Sequence, residues 1–213
     1  MPSDFLQETG SKVTCIIIAN ELTYTQLPNR FASTSSESSV LEYMLDALWT
    51  VFDSIIILSP IEPKLEILEK VNPFGARFIM VQNKQFSEVL KTALETVQTP
   101  VILLLSGDRP LLKPSVLFHL SHEINEFPAV VPKWNDGKIE PFLASYKANT
   151  LRKTVRKRMN AKEFYDHVSI LNDVLFLSVE NEISTLDPEL NSFIQIKGRQ
   201  DREKITRLID LKS

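Results

Sequence analysis

The stretch Val101-Ile-Leu-Leu-Leu-Ser-Gly-Asp108 decides the fold. Its five consecutive apolar residues, with polar breakers directly after them, are typical of a strand buried on both faces of a parallel sheet. Ligands of open α/β sheets bind at the carboxyl ends of the strands, so Asp108 is the leading candidate for a site residue. A turn or helix-capping aspartate is the alternative, because prolines and a serine follow.

Composition limits the class of protein. The 213 residues are 43% hydrophobic and 24% charged, which is enough for a full core and predicts one globular domain over 1–213. A net charge of −3 gives no general attraction to nucleic acid or anionic lipid. No apolar run has the length of a membrane span, and 1–12 is too polar for a signal peptide. We therefore expect a cytoplasmic protein that binds neither nucleic acid nor membrane.

The single cysteine, Cys15, excludes an intrachain disulfide and any metal site built from several cysteines. It stands in an apolar run, so a buried packing role is expected for its thiol.

Strands and helices alternate along the first half of the chain. The predicted strands cover 13–19, 54–58, 77–81 and 101–105, and the predicted helices cover 40–51, 63–71 and 86–97. Ser39 and Glu42 have the spacing of a capping box at the start of the first helix. Such alternation predicts an α/β fold with a mostly parallel sheet sandwiched by helices and right-handed crossovers.

The second half is predicted to contain helices at 114–126, 147–158, 161–168 and 201–211, with extended segments at 129–131, 139–146, 174–177 and 193–196. His119 and His122 could share a metal, but no third ligand is evident nearby. The helix at 147–158 is rich in arginine and lysine. It forms either a solvated basic face or an electropositive wall for a phosphorylated substrate or an anionic partner.

Four stretches match one family in the right order. They are Ser39-Val-Leu-Glu-Tyr-Met-Leu-Asp-Ala-Leu48, Ser106-Gly-Asp-Arg-Pro-Leu-Leu-Lys-Pro114, Glu140-Pro-Phe-Leu-Ala-Ser-Tyr146 and Phe193-Ile-Gln-Ile-Lys-Gly-Arg-Gln-Asp201. Together they resemble the molybdenum cofactor guanylyltransferases and their relatives in the nucleotidyltransferase branch of the Rossmann-like, glycosyltransferase-A-like fold. The resemblance places Asp108 on the metal-binding aspartate of that family.

The chain departs from the family at three places. The loop at 18–30 has no glycine, although the family holds the triphosphate on a glycine-rich loop, and glycine permits the turns of a phosphate cradle. The segment 85–89 replaces a glycine-containing element that faces the base and sugar. Lys197 replaces an asparagine that helps bind the metal, and a protonated ammonium cannot ligate a cation.

The resemblance implies transfer of a nucleoside monophosphate, GMP from GTP by preference, to a phosphorylated cofactor precursor such as molybdopterin or cobinamide phosphate. It implies Mg²⁺ as the cofactor and leaves a homodimer open. The implied site residues are Asp108 for catalysis and the metal, Ala19, Asn20, Arg30 and Asn83 for the nucleotide, and Glu140, Tyr146, Arg152 and Arg156 for the acceptor. The alternative, favoured by the missing glycines, is a catalytically inactive relative that serves as a nucleotide-binding regulatory or scaffold protein.

Overall fold

A computed structural model of the chain describes residues 13–28, 37–81, 85–155 and 160–210. Its centre is a seven-stranded sheet. The strands are β1 (Val13–Ile18), β4 (Ser54–Ser59), β5 (Arg77–Met80), β6 (Val101–Ser106), β7 (Ala129–Lys133), β8 (Leu143–Lys147) and β9 (Leu175–Ser178). They lie in the order β5-β4-β1-β6-β8-β7-β9. A separate two-stranded ribbon pairs β2 (Gln26–Pro28) with β3 (Glu37–Ser39).

The sheet is mostly parallel, as predicted. Strands β5, β4, β1 and β6 all run in one direction, whereas β8 is antiparallel to both β6 and β7. Ile18 is in register with Leu58 and Ser106, so three strands end at the same level. Leu143 pairs with Leu105, which brings the start of β8 to the same level. We call this end of the sheet the carboxyl edge.

Helices cover both faces of the sheet. The α-helices are α1 (Val40–Leu48), α2 (Leu65–Val71), α3 (Phe86–Thr96), α4 (Pro114–His122), α5 (Ala148–Thr154), α6 (Ala161–Ser169) and α7 (Arg199–Asp210), and a helical turn (Ser184–Leu186) follows β9. One apolar cluster joins one face to α1, α2, α4 and α7, and a second joins the other face to α3, α5 and α6. No helix of the described ranges is both long and apolar enough to cross a bilayer.

The start of α1 confirms the predicted capping box. The Ser39 N–H donates to Glu42 Oε2 at 2.7 Å, and the Glu42 N–H donates to Ser39 Oγ at 3.3 Å. These reciprocal bonds satisfy donors that the first turn of a helix otherwise leaves unpaired.

The strand predicted at 193–196 is wrong. A 3₁₀ turn (Asn191–Phe193) occupies its start, and residues 194–197 join no sheet. The reason is that its N–H groups have other partners: those of Phe193 and Ile194 donate to the carbonyls of Leu190 and Asn191 in the turn, and the segment that contains them is tied to the loop after β6. The Ile196 N–H donates to the Asp108 carbonyl at 2.9 Å, and the Ser192 carbonyl accepts from Arg109 at 3.2 Å.

Candidate functional site

Asp108 lies at the carboxyl edge, in the loop that follows β6. It is half-buried, and its Oδ1 lies 3.5 Å from the side-chain amide nitrogen of Gln195. The N-cap of α4 is Lys113, which makes no side-chain capping bond. The carboxylate of Asp108 thus faces another loop instead of the first turn of α4, which favours a site residue over a helix cap.

A cleft of about 490 Å³ opens at the same edge, between the loops after β1 and β4 and the first turns of α3. Its walls include Ala19 and Asn20 from the first loop, Ile61 from the second, and Phe86 from α3. The N–H of Gly107 donates to the Ile18 carbonyl at 2.9 Å, so the loop that carries Asp108 adjoins the cleft. A cleft of this size with mainly apolar walls suits a flat organic ring.

The loop after β1 is closed on itself. The Asn20 side-chain oxygen accepts from the N–H groups of Leu22 at 2.8 Å and Thr23 at 3.3 Å, and the Asn20 N–H donates to Thr23 Oγ1 at 2.9 Å. The Ala19 N–H donates to the Leu58 carbonyl at 2.9 Å. The roles of Ala19 and Asn20 beside a nucleotide stay predictions: both residues line the cleft, but their N–H groups already have partners and are not free to bind phosphate.

Gly107 is required by the close packing of this loop. A Cβ at this position would lie 2.3 Å from Thr23 Oγ1, 2.9 Å from the Ile18 carbonyl oxygen and 3.0 Å from the Ala19 Cα. Two of these three neighbours belong to the backbone, so they cannot move aside as the tip of a side chain can.

We expect Gly107→Ala to lower the free energy of unfolding by about 1–3 kcal/mol, the usual cost of overpacking. Gly198→Ala is the matched control, because a Cβ at Gly198 meets nothing within 4 Å. Urea unfolding of the two variants measures the difference. Equal stabilities would contradict the packing described for Gly107.

Arg109 and Glu140 form a buried ion pair beside Asp108. The Arg109 side chain is 1% exposed and the Glu140 side chain 9%, and Nη2 lies 2.7 Å from Oε2. The same guanidinium donates to Ser106 Oγ at 3.1 Å and to the Ser192 carbonyl at 3.2 Å. Arg109 thus ties the end of β6 to the segment that carries Gln195.

Glu140 is fully engaged by donors. Its Oε1 accepts from Lys138 Nζ at 2.7 Å and from Trp134 Nε1 at 3.0 Å. Burial alone would raise the pKa of Glu140, but the Arg109 guanidinium and the hydrogen bonds from Lys138 and Trp134 outweigh burial and lower that pKa. Glu140 thus holds Arg109 in place, and its role beside an acceptor stays a prediction.

The lowered pKa makes the contribution of Glu140 to stability depend on pH. A carboxyl group with a folded-state pKa below its unfolded value of about 4.3 stabilises fully above that value and loses the effect as the pH falls through the folded pKa. We therefore expect the stability gap between the wild type and Glu140→Gln to be constant from about pH 6 to pH 8 and to shrink below about pH 4.3. Urea unfolding across this range measures the gap, and a gap that widens in acid would contradict the ion pair.

Tyr146 and Arg152 do not join Asp108. Tyr146 is fully buried, its hydroxyl donates to the Pro141 carbonyl at 2.8 Å, and burial raises its pKa well above the usual value. Because β8 is antiparallel to β6 and Lys147 pairs with Val101, α5 begins at the opposite edge of the sheet. Arg152 lies there, so we remove both residues from the acceptor site.

Three other predicted residues, Arg30, Asn83 and Arg156, lie outside the described residues, and their roles stay predictions.

The side chains at Asp108 suit a metal ion that is bound partly by the protein and partly by a substrate. Among the described residues, no group of three or more His, Cys, Asp or Glu side chains could hold a metal. Mg²⁺ is often held by one or two carboxylates together with substrate phosphates and waters. A single carboxylate fits that arrangement, with Asp108 as the protein ligand and the Gln195 amide nitrogen as a donor that orients it.

Sequence reasoning missed Arg109 and Gln195. Arg109 follows Asp108 directly and is the sole charged residue between Asp108 and Lys113, which was the available signal for Arg109. Gln195 lies 87 positions after Asp108 in sequence, and the sequence alone does not reveal that the two side chains are in contact.

The fold and the site together define a nucleotidyltransferase-type α/β protein. The MobA-like NTP transferase domain model matches residues 31–170, a range that includes Asp108 and Glu140. The chain therefore belongs to the MobA-like NTP transferase family, and this membership favours the transferase over an inactive scaffold.

Individual relatives agree with this membership. A probable molybdenum cofactor guanylyltransferase of Methanosarcina mazei is 25% identical over 174 residues, which cover 78% of this chain and 77% of that protein. The crystal structure of the molybdopterin-guanine dinucleotide biosynthesis protein A from Archaeoglobus fulgidus superposes with a TM-score of 0.66 at 21% identity, covering 93% and 99% of the two chains. The 2-C-methyl-D-erythritol 4-phosphate cytidylyltransferase from Thermus thermophilus gives 0.64 at 15% identity over 93% and 99%. These two structures share the fold.

Proposed function

We propose that this chain transfers GMP from GTP to a phosphorylated cofactor precursor of the molybdopterin type. The observation that carries the proposal is the half-buried carboxylate of Asp108 at the carboxyl edge of a mostly parallel sheet. Its loop is joined to an apolar cleft, because the Gly107 N–H donates to the carbonyl of Ile18 in the cleft wall. The guanylyltransferase name of the Methanosarcina mazei relative supports the choice of GTP and of the acceptor.

The cleft would hold the base and sugar. Ile61 and Phe86 supply apolar walls, while the exposed Asn20 stands at its rim. Asp108, oriented by the amide nitrogen of Gln195, would hold Mg²⁺ together with the phosphates of the nucleotide. When bound, Mg²⁺ would neutralise the negative charge that develops on the phosphate oxygens.

The transfer itself requires little covalent work from the protein. An oxygen of the acceptor phosphate attacks the α-phosphorus of GTP and forms the new phosphorus–oxygen bond. The bond from the α-phosphorus to the oxygen that bridges to the β-phosphorus breaks, and pyrophosphate leaves with that electron pair. Alignment of the two phosphates beside Asp108 is the contribution of the chain.

Because the loop after β1 uses its N–H groups internally, the phosphates need other positive partners. Lys197 is exposed two residues beyond Gln195, in the segment that binds the backbone of Asp108. We assign the compensating positive charge to Lys197 together with Arg30, which is the last residue of the loop at 18–30 in sequence. Side-chain cations neutralise phosphate without the turns that a glycine cradle needs.

The cellular setting is also a proposal. The lone thiol of Cys15 is buried, and burial raises its pKa, so it is neither paired in a disulfide nor poised to react. This cysteine usage supports a cytoplasmic protein. A homodimer stays a prediction, which sedimentation of the purified chain would test.

Thermal unfolding with nucleotides tests the proposal. At about one hundred times its dissociation constant, a ligand of the folded state stabilises by about 2.7 kcal/mol. We expect GTP with Mg²⁺ to raise the melting temperature more than ATP or CTP, and Mg²⁺ alone to have little effect. A melting temperature that no nucleotide shifts would contradict the proposed function.

A further inference from the structure

A second cavity, about 700 Å³ in volume, lies at the edge of the sheet opposite Asp108. Val13 and Val101, the first residues of β1 and β6, form part of its wall. The six residues of β6 separate it from the carboxyl edge, which at 3.3 Å per residue is a distance of about 17 Å. This cavity is therefore a separate site from the cleft beside Asp108.

The lining of this cavity is positively charged. It includes Lys147, Arg152 and Lys153, together with His122, and no aspartate or glutamate of the described residues contributes to it. Within the described part of the chain, no carboxylate lies within 4.0 Å of these three cations, whereas Lys70, Lys138, Arg109 and Arg202 each have such a partner. In a chain with a net charge of −3, this lining is a local exception that attracts anions.

Arg152 is held in place without losing its charge. Its Nη2 donates to the Val97 carbonyl at 2.7 Å and to the Leu94 carbonyl at 3.3 Å, and Nη1 lies 3.4 Å from the Asn149 side-chain oxygen. All three partners are neutral acceptors, so the guanidinium charge acts on the cavity.

An aromatic pair forms another part of the lining. The rings of Phe118 and His122 are stacked with centroids 5.4 Å apart and planes inclined by 24°. Phe118 is 45% exposed, although it is a large apolar side chain. A flat ring stacks favourably on such a platform, and the cavity volume lies within the usual range for small-molecule sites.

We propose that this cavity binds a nucleoside phosphate as a second ligand, separate from the substrate of the transfer reaction. Its base packs against the pair formed by Phe118 and His122, and its phosphate binds Lys147 and Lys153. The position, at the far edge of the sheet from Asp108, suits a ligand that regulates the protein and takes no part in the chemistry.

Photolabelling with peptide mapping tests this proposal. The full chain is irradiated with 8-azido-GTP or 8-azido-ATP, and labelled peptides are identified by mass spectrometry. We expect saturable label in the peptide that contains Phe118 and His122, and at least a tenfold loss of that label in Lys147→Glu/Lys153→Glu. The control is Lys91→Glu/Lys162→Glu, which makes the same charge change at two exposed lysines outside the cavity lining.

The outcomes separate this site from the transfer site, because label at peptides of the carboxyl edge reports the proposed function independently. Label confined to the carboxyl edge would overturn the second site. Label near Phe118 that survives the charge reversal would show that Lys147 and Lys153 do not bind the phosphate of the ligand. Label that equimolar inorganic phosphate removes would show that the cavity binds phosphate without recognising a nucleoside. Either result would overturn the proposal. Urea unfolding of both double variants establishes that each is folded.

Discussion

Asp108→Asn is expected to lower the rate of Mg²⁺-dependent pyrophosphate release by about 10²–10³-fold, the usual loss when one group that stabilises transition-state charge is removed. The substitution keeps the shape of the side chain and removes its charge. Asp108 is half-buried and has no salt-bridge partner among the described residues, so its charge is available to a metal ion. Pyrophosphate release from GTP, with a phosphorylated acceptor present, measures the rate.

The matched control is Asp53→Asn. Asp53 is exposed and immediately precedes β4, at the edge of the sheet opposite Asp108. This variant loses the same charge and should keep the full rate. Two variants with equal rates would remove Asp108 from the site, provided that the wild type is active.

Arg109→Met is expected to have the largest effect on stability, a loss of about 3–5 kcal/mol in the free energy of unfolding, because removing one partner of a buried ion pair leaves the other charge buried without compensation. Here Glu140 would keep Lys138 and Trp134 as donors, but it would lose the guanidinium at 2.7 Å. Urea unfolding at neutral pH measures the loss.

Two further variants distinguish the loss of the buried ion pair from a general loss of stability caused by substitution. Lys138→Met removes the other cation of Glu140, but the Lys138 side chain is 56% exposed, so its loss should cost less than about 1 kcal/mol. Arg109→Met/Glu140→Gln removes both buried charges and should recover part of the loss. A double variant no more stable than Arg109→Met would contradict the buried pair as the cause.

The architecture could be predicted because its signals are local. Unbroken apolar runs such as 101–105 indicate strands that are covered on both sides, and the box formed by Ser39 and Glu42 marks a helix start. The prediction of a strand at 193–196 was wrong for a physical reason. The apolar residues of this segment imitate a strand, but its N–H groups bind the preceding turn and the loop after β6 instead of a neighbouring strand.

The site was predictable only near Asp108. The position of Asp108 follows from the strand that precedes it, so the sequence alone is sufficient to place it at the carboxyl edge. Tyr146 was assigned because it ends a stretch that resembles the family, and Arg152 because it lies on the basic helix predicted at 147–158. Strand β8 carries the chain away from Asp108, so Tyr146 enters the core and Arg152 reaches the opposite edge. The partnership of Arg109 with Glu140 spans 31 positions and requires the folded structure.

The most direct test of the proposed transfer is to measure whether the α-phosphate of GTP ends in the acceptor. Wild-type protein is incubated with GTP labelled at the α-phosphorus, Mg²⁺ and molybdopterin, and the acceptor is then separated from the nucleotide. We expect label in the acceptor in an amount equal to the pyrophosphate released. A folded protein that binds GTP and transfers no label would contradict the transferase and indicate a nucleotide-binding regulatory protein.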